Sequence, residues 1–315
     1  MEVLARLDQI DQVRQAGSRL GLIPAERSSP ASLGLIPTEG SAPASLGLIP
    51  AEGSAPASLG LIPTMGALHQ GHLSLIERSR HTDQLVAVSI FVNPRQFAAH
   101  EDLATYPRSL DQDLQLCEQA GVDFVFAPDP SQIWPNPNPT LVYPPPELTE
   151  QLCGRSRPGH FIGVATIVLK LLNIFQPDRA YFGEKDAQQL AIIQRLVQDL
   201  NLPVKIIPCP IYRDPDGLAL SSRNQYLTPS QRQIAPQIYA SLRRAQTMFQ
   251  QGERQAEVLI QAVLDQLPPP FQLDYLELVD QNTLQKIGYV QSSALLAIAV
   301  YLGTTRLIDN IVLAP

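Results

Sequence analysis

The sequence predicts an α/β fold built around a parallel β-sheet, followed by a smaller α+β domain. Apolar runs at 59–62 and 85–92 lack the alternation of a half-exposed strand, and this pattern indicates strands buried on both faces of a sheet. Strand-like runs alternate with helix-like runs up to about residue 207, which is typical of βαβ units. Beyond that point a helix is predicted over 229–251 and strands over 271–279, 294–302 and 305–313. We therefore expect one domain over 1–211 and a second over 212–315.

Composition narrows the class of protein. Of the 315 residues, 44% are hydrophobic and 17% are charged, and this balance indicates a soluble globular protein. The formal net charge of −7 and the lack of a Lys/Arg block argue against a nucleic-acid partner. Cys117, Cys153 and Cys209 are widely spaced and odd in number, which argues against a disulfide framework or a zinc cluster. With no long apolar run and no signal-peptide pattern, we expect a cytoplasmic protein without a membrane partner.

The first 60 residues contain a predicted helix and a tandem repeat. Apolar residues at three-residue spacing predict an amphipathic helix over 4–16, ended by Gly17. Gly-Leu-Ile-Pro then begins at 21, 34, 47 and 60, a period of 13 residues, and only the last copy runs into Thr64. We expect the last copy to be the first buried strand and 25–56 to form a disordered loop, because its few apolar side chains cannot offset the entropy of ordering. In the alternative, an earlier copy competes for the strand position.

The stretch Pro63–His72 joins that strand to a predicted helix N-terminus. Free backbone N–H groups and the positive end of the helix dipole meet there, and Gly66 and Gly71 allow a ligand to approach the main chain. His69 and His72 are three residues apart, so both imidazoles face the same way and can donate hydrogen bonds to phosphate oxygens. Two other interpretations stay open. In the first, the stretch is an ordinary loop. In the second, the histidines are half of a metal site, for which the chain offers no obvious further ligands.

Polar residues also follow other predicted strands. Asn93 comes directly after the run 85–92, at the edge where open α/β sheets bind ligands, although a turn residue before proline is an equal alternative. Lys185 follows the short strand 180–182, and Asp186 is placed to cap the helix 187–200. One residue of the pair Gln188 and Gln189 is expected to face the sheet edge.

Two arginine segments complete the candidate site. Arg157, before Pro-Gly, suits a phosphate or carboxylate, as do Ser221, Ser222 and Arg223 on the loop that opens the second domain. Solvation and helix capping are the alternative roles for these residues. Because this loop coincides with the domain boundary, we expect the site to lie between the domains.

Five segments now stand in one chain and one order: Pro63–His72, Phe91–Phe97, Arg157–Phe161, Gly183–Leu190 and Ser221–Asn224. Together they resemble the pantothenate synthetase (pantoate–β-alanine ligase) family, within the wider His-x-Gly-His nucleotidyltransferase superfamily. The resemblance covers the opening helix and about 57–315. It implies a Rossmann-like parallel-sheet domain with helices on both faces, a C-terminal α+β lid domain and a homodimer. It also implies condensation of (R)-pantoate with β-alanine through a pantoyl adenylate, with ATP as a substrate and Mg2+ carried on its phosphates.

The resemblance further implies residue roles. The catalytic set is His69, His72, Lys185, Ser221 and Arg223, with His72 as proton donor. The ATP contacts are Met65, Gly66, His69, His72, Gly183, Glu184, Lys185, Asp186, Tyr212, Leu220, Ser221, Ser222 and Arg223. Gln96 and Gln189 hold pantoate, Gln96 also lies near β-alanine, and Asn93 and Arg157 are further candidate substrate contacts. No residue is expected to bind a metal directly.

Two other functions remain open at this point. One is a different adenylyl- or cytidylyltransferase of the same superfamily, against which Gln96 and Gln189 argue. The other is a non-catalytic ATP-binding scaffold protein whose repeats recruit a partner. Some family members carry a fused nucleoside-monophosphate kinase, but the phosphate-loop pattern Gly-x-x-x-x-Gly-Lys-Ser/Thr does not occur here, so we expect no kinase activity.

Overall fold

The computed structural model describes residues 1–9, 58–98, 101–267 and 269–314. A six-stranded parallel sheet has the order β1-β4-β3-β2-β5-β6, and a separate antiparallel sheet has the order β7-β8-β9. The strands are β1 (Glu2–Leu4), β2 (Leu59–Thr64), β3 (Leu85–Ile90), β4 (Phe124–Phe126), β5 (Arg179–Gly183), β6 (Lys205–Cys209), β7 (Gln272–Asp280), β8 (Ala294–Leu302) and β9 (Thr305–Leu313). The predicted fold class, a parallel α/β unit followed by a smaller α+β unit, is confirmed.

The α-helices of the described segments are α1 (Gln70–Thr82), α2 (Leu110–Gln119), α3 (Pro130–Ile133), α4 (Pro146–Thr149), α5 (Leu152–Ser156), α6 (His160–Phe175), α7 (Ala187–Asp199), α8 (Pro229–Ile234), α9 (Gln237–Gln250) and α10 (Ala256–Leu264). Short 3-10 turns lie at Leu7–Gln9, Pro94–Gln96, Glu184–Asp186 and Ser222–Tyr226. None of the helices described is both long and apolar enough to cross a membrane.

The parallel sheet is buried on both faces. Leu61 and Ile62 are adjacent in β2 and therefore point to opposite faces. Leu61 belongs to a core shared with α6 and α7, whereas Ile62 belongs to a core shared with α1 and α2. This arrangement explains why the sequences of β2 and β3 are continuously apolar. A separate core joins α8, α9 and α10 to the antiparallel sheet.

Strand β2 lies at the point where the strand order reverses. It pairs with β3 on one side and with β5 on the other, and the chain then continues outward to β4 and β6 respectively. Connections that leave in opposite directions open a crevice at the carboxyl ends of the central strands, where α/β proteins bind ligands. The His69 segment follows β2, the Asn93 segment follows β3 and the Lys185 segment follows β5.

The prediction of an opening helix over 4–16 is wrong for residues 4–9, the part that the structure describes. Glu2–Leu4 form an edge strand that pairs in parallel with β4, and Leu7–Gln9 form a 3-10 turn. Pairing with β4 satisfies the backbone and buries Leu4 completely, and this gain overrides the helical spacing of the apolar residues. Residues 10–16 and the repeat loop predicted over 25–56 lie outside the described residues. The last Gly-Leu-Ile-Pro copy does occupy the strand.

The helix predicted over 229–251 is interrupted. It forms two helices, α8 and α9, because Pro236 has no N–H to donate and its ring disfavours a continuous helix at this point. Thr228 caps α8, in a reciprocal capping box with Gln231. Asp186 stands at the N-cap of α7, but its side chain makes no capping hydrogen bond.

Candidate active site

The two histidines lie at the start of α1, each with a defined ring nitrogen facing the main chain. His69 is the N-cap, and its Nδ1 accepts the N–H of Gly71 at 3.1 Å. The Nδ1 of His72 accepts the N–H of His69 at 3.3 Å. Because each Nδ1 is an acceptor, each neutral ring carries its proton on Nε2. The ring centroids are 4.1 Å apart, so two Nε2–H donors are presented side by side.

Both rings are neutral at pH 7. Burial, reinforced by the charge of Lys185, lowers the pKa of His69 to about 4. Burial, with smaller contributions from His69 and Lys185, lowers the pKa of His72 to about 3. The neutral state limits the way in which His72 can act as the expected proton donor. In the free protein its neutral imidazole is able to donate a hydrogen bond through Nε2–H and is not an imidazolium acid.

A buried carboxylate supports the backbone that precedes His69. Asp113 of α2, 2% exposed, accepts the N–H of Ala67 at 2.9 Å and that of Leu68 at 2.7 Å. Gly66 and Ala67 both have positive φ, 81° and 50°, so the chain turns sharply here in a conformation that Ala rarely adopts. The two hydrogen bonds stabilise this turn and thus the position of His69.

Gln96 lies beyond the end of β3, in a 3-10 turn. The amide of Asn93, which is 1% exposed, donates to Gln96 Oε1 at 3.1 Å and to the carbonyl of Gly163 at 3.2 Å. Gln96 Nε2 approaches the sulfur of Met65 at 3.0 Å. A Cβ on Gly163 would lie 2.2 Å from the carbonyl oxygen of Arg95, so glycine lets α6 pack directly against this turn. Asn93 therefore orients the Gln96 amide.

Arg157 is committed to protein partners. Its guanidinium forms a salt bridge with Glu101 and donates Nη1–H to His160 Nε2 at 3.0 Å. His160 in turn donates Nδ1–H to the carbonyl of Gln96 at 2.7 Å. Burial and the adjacent Arg157 lower the pKa of His160 to about 3, which keeps it neutral in this chain of hydrogen bonds. The network fixes the backbone of Gln96.

The two glutamines at the start of α7 have different surroundings. Gln188 is buried and donates to the carbonyls of Leu148 and Gln151, at 2.8 Å each. Gln189 lines the central cavity, which is also lined by His69 and His72. Of the two, Gln189 is therefore the one that faces the sheet edge.

The Ser221 turn comes from the other side of the crevice. Ser221 Oγ caps it by accepting the N–H of Arg223 at 3.3 Å, and Ser222 Oγ lies 3.1 Å from the hydroxyl of Tyr106. The Arg223 guanidinium forms a two-point salt bridge with Asp102 through Nε and Nη2, at 3.0 and 2.8 Å. This pairing fixes the plane of the guanidinium at the border of the crevice.

The central cavity has a volume of about 230 Å3 and is lined by most of the predicted site residues. Those lining it are Met65, His69, His72, Asn93, Gln96, Gly183, Lys185, Asp186, Gln189, Tyr212, Leu220, Ser221, Ser222 and Arg223. One wall is apolar and is made by Val164, Ile167, Val168 and Leu171 of α6. The cavity thus combines phosphate-type donors, two amides and an apolar surface, which suits a nucleotide beside a small organic acid.

Three predicted residues are not part of this cavity lining. Gly66 is buried behind the His69 turn, and the Glu184 side chain is exposed outside. Arg157 lines a second cavity of about 650 Å3, which shares Lys185, Asp186, Gln189, Ser221 and Arg223 with the first. In the described segments, no group of three or more His, Cys, Asp or Glu side chains is arranged to hold a metal ion.

Sequence reasoning missed several residues that shape the site. Tyr106 lines the central cavity, and Asp102 and Asp113 fix Arg223 and the His69 turn. Nothing in the local sequence distinguished Asp102 and Tyr106 from other polar residues. The spacing of Asp113 carried the one local signal, because a residue four positions before Cys117 lies on the same, buried face of α2.

The fold and the site define a Rossmann-like α/β protein with a nucleotide-type site at the switch point of its parallel sheet. The sequence profile of the pantoate-beta-alanine ligase family matches residues 48–312. The chain belongs to the pantoate-beta-alanine ligase family.

Relatives and solved structures agree with this assignment. The chain is 58% identical over 253 residues to a bifunctional pantoate ligase/cytidylate kinase of Synechococcus elongatus, covering 79% of this chain and 48% of that protein. It is 54% identical over 257 residues to the bifunctional pantoate ligase/cytidylate kinase of Trichormus variabilis, covering 79% of this chain and 48% of the other. The chain spans about half the length of the curated relatives it matches.

Among solved structures, it is similar to pantothenate synthetase of Thermus thermophilus, with a TM-score of 0.83, 37% identity and full coverage of both chains. It is also similar to pantoate-beta-alanine ligase of Francisella tularensis complexed with beta-gamma ATP and beta-alanine, with a TM-score of 0.72 and 34% identity. That alignment covers 99% of this chain and 97% of the other.

Proposed function

We propose that this protein condenses (R)-pantoate with β-alanine in an ATP-dependent reaction that yields pantothenate, AMP and pyrophosphate. One observation carries the proposal. The Nε2–H groups of His69 and His72, the Lys185 ammonium and the amides of Gln96 and Gln189 all border one cavity at the switch point. Family membership supports the same reaction. The Francisella tularensis ligase, crystallised with beta-gamma ATP and beta-alanine, supports the choice of substrates.

In the first step, a pantoate carboxylate oxygen attacks the α-phosphorus of ATP, and the bond from that phosphorus to the bridging oxygen breaks to release pyrophosphate. Negative charge builds on phosphate oxygens, which calls for preorganised donors and not for a covalent nucleophile. His69 and His72 supply neutral donors, Lys185 supplies a point charge, and Ser221 and Arg223 act on the departing pyrophosphate.

In the second step, the neutral amine of β-alanine attacks the acyl carbon of pantoyl adenylate, the bond to the AMP oxygen breaks, and the amine loses a proton. Gln96 and Gln189 hold the polar groups of pantoate, while the apolar wall of α6 packs against its carbon skeleton. Asn93 acts by orienting Gln96. Arg157, joined to Glu101 and His160, supports the same residue from the outside and does not contact pantoate.

Further parts of the proposal concern the assembly and the metal. Mg2+ enters as the MgATP complex, bound to the phosphates of the substrate. The segment 212–315 is a lid domain that brings Ser221 and Arg223 to the nucleotide, whose base lies near Tyr212. The protein works as a cytoplasmic homodimer.

The test is a pair of product assays on the purified chain. Pyrophosphate release is expected to require pantoate, and AMP release is expected to require β-alanine as well. His72→Ala should lower the rate of pyrophosphate release about 100- to 1,000-fold, the usual effect of losing one such donor. His81→Ala is the matched control, because the His81 side chain lies on the same helix and is 78% exposed.

Two results would contradict the proposal. Pyrophosphate release that does not require pantoate, with no AMP release when β-alanine is added, would indicate another adenylyl- or cytidylyltransferase. ATP binding without turnover, in a chain that melts cooperatively, would indicate a non-catalytic binding protein.

A further inference from the structure

Asn310 connects the antiparallel sheet to the turn that carries Lys185. It lies on β9, is 5% exposed, and donates its side-chain amide to the carbonyl oxygen of Glu184 at 2.9 Å and to that of Lys185 at 3.0 Å. One buried amide thus satisfies two consecutive carbonyls of the 3-10 turn. A partner that must donate twice on the same side cannot be a carboxylate or an aliphatic side chain.

The Lys185 turn has little local support of its own. Asp186 occupies the N-cap of α7 without a side-chain capping bond, and nothing packs against the place where a Cβ on Gly183 would stand. The backbone that presents Lys185 therefore depends on a contact supplied by a residue 125 positions further along the chain.

Asp309, the residue before Asn310, supports the Ser221 turn in a similar way. Asp309, 4% exposed, accepts both Nη groups of Arg213 at 2.6 and 2.8 Å. Arg213 also donates to the carbonyl of Gly217 at 3.1 Å, and its guanidinium stacks over the Tyr239 ring at 3.6 Å. These contacts close the loop that leads into Ser221.

The loop that begins near Arg213 ends directly before the Ser221 turn. A β-bridge joins Arg213 to Ala219, and the N–H of Leu220 donates to the carbonyl of Tyr212 at 3.0 Å. Ser221 is the next residue. The position of Asp309 therefore determines where the Ser221 turn begins.

We propose that Asp309 and Asn310 are positioning residues that hold the Lys185 turn and the Ser221 turn in register across the central cavity. Neither acts on substrate directly. Asn310 works through Lys185, and Asp309 works through Arg213 and Ser221. Asp309 and Asn310 both lie on β9, which is paired with β8 along its full length. One rigid strand therefore holds both turns. This role rests on the proposed function, because the reaction needs both turns to meet the same triphosphate.

The geometry predicts which step suffers. A shift of about 1 Å in a positioned group lowers a rate by up to about 100-fold without removing the group. We expect Asn310→Ala to lower kcat for pantoate-dependent pyrophosphate release about tenfold while leaving KM for pantoate within about twofold. Asn310→Asp should be worse than Asn310→Ala, because a carboxylate would face two carbonyl oxygens. Val312→Ala, at a 38% exposed position on the same strand, is the control.

The decisive experiment is a double-mutant cycle. In a Lys185→Ala background, Asn310→Ala is expected to lower the residual rate by less than about twofold, because the group through which it acts is gone. If Asn310→Ala still lowers the rate tenfold in that background, or if it does not lower the rate of the parent chain, the positioning role is excluded.

A second measurement does not depend on catalysis. Hydrogen exchange of the free chain should be faster over 184–190 in Asn310→Ala than in the parent or in Val312→Ala, while exchange in α9 stays unchanged. Unchanged exchange over 184–190, or an increase that spreads equally through α9, would overturn the proposal. A parent chain without pantoate-dependent turnover would sink the proposed function, and the exchange data would still decide whether Asn310 holds the turn.

Discussion

The carboxylate of Asp113 accepts the backbone N–H of Leu68 at 2.7 Å, so a side chain of α2 holds the turn that precedes His69. Its second oxygen accepts the N–H of Ala67, a residue with a φ of 50°. The helix that bears the histidines is thereby fixed from its non-helical side, where a sharp and strained turn would otherwise be free to relax.

Asp113→Asn should therefore weaken both stability and activity. An amide offers one acceptor where two N–H groups need one each, and its NH2 group would face a donor. We expect a loss of about 1–3 kcal/mol in the free energy of unfolding, measured in urea, with slower pyrophosphate release. Asp111→Asn, at an exposed position on the same helix, is the control. If the two variants behave alike, Asp113 does not support the turn.

Gln188 and Gln189 are neighbours with opposite environments, so the same substitution should separate binding from stability. Gln189→Ala is expected to raise KM for pantoate about tenfold with little change in melting temperature, since its amide borders the cavity. Gln188→Ala should instead lower the melting temperature by several degrees, because it removes a buried side-chain donor from the carbonyl of Leu148 and one of the donors to the carbonyl of Gln151. Steady-state kinetics and thermal unfolding of both variants test this. The reverse pattern would contradict the placement of these side chains.

The lowered histidine pKa values predict how stability depends on pH. His69, His72 and His160 have folded-state pKa values of about 4, 3 and 3, all below the ordinary pKa of 6.5 for this side chain. The unfolded chain therefore binds more protons below pH 6.5, so the free energy of unfolding should fall as the pH is lowered from about 6.5 towards 4.

Urea unfolding between about pH 7 and pH 4 measures this slope. His72→Gln should make it shallower, because one of the buried imidazoles is gone. His81→Gln, at an exposed position on the same helix, is the control. An equal slope in the parent and in His72→Gln would mean that His72 does not contribute to acid destabilisation.

Deleting residues 22–60 tests the role of the repeat. The deletion joins Gly21 to Leu61 and so recreates the sequence Leu-Gly-Leu-Ile-Pro-Thr of β2 from the first and last copies. Because the last copy already occupies the strand, we expect pyrophosphate release by the shortened chain to stay within about twofold of the parent. Higher activity only after deletion would show that the copies compete for the strand position. Matched melting curves of the two chains control for misfolding.

The predicted parts of the site are those that follow directly from local sequence. His69, Asn93 and Lys185 each come after an apolar run, and in a parallel sheet the carboxyl ends of neighbouring strands meet at one edge. The convergence of these segments on one cavity follows from that rule. Asp102, Asp113 and Asn310 could not be found in the same way. Each acts on a group far away in the chain, from 45 positions for Asp113 to 125 for Asn310, and no local pattern encodes such a partner.

The parallel sheet, the three C-terminal strands and the family could all be inferred from the amino-acid sequence, because periodicity, turn residues and motif order are local properties of the chain. The strand Glu2–Leu4 could not, since it forms only because an edge of β4 is available to pair with it. The same holds for the salt bridge of Arg157 with Glu101 and for the neutral state of the histidines. Ion pairing and desolvation arise only when distant segments are packed together, so no single stretch of residues specifies them.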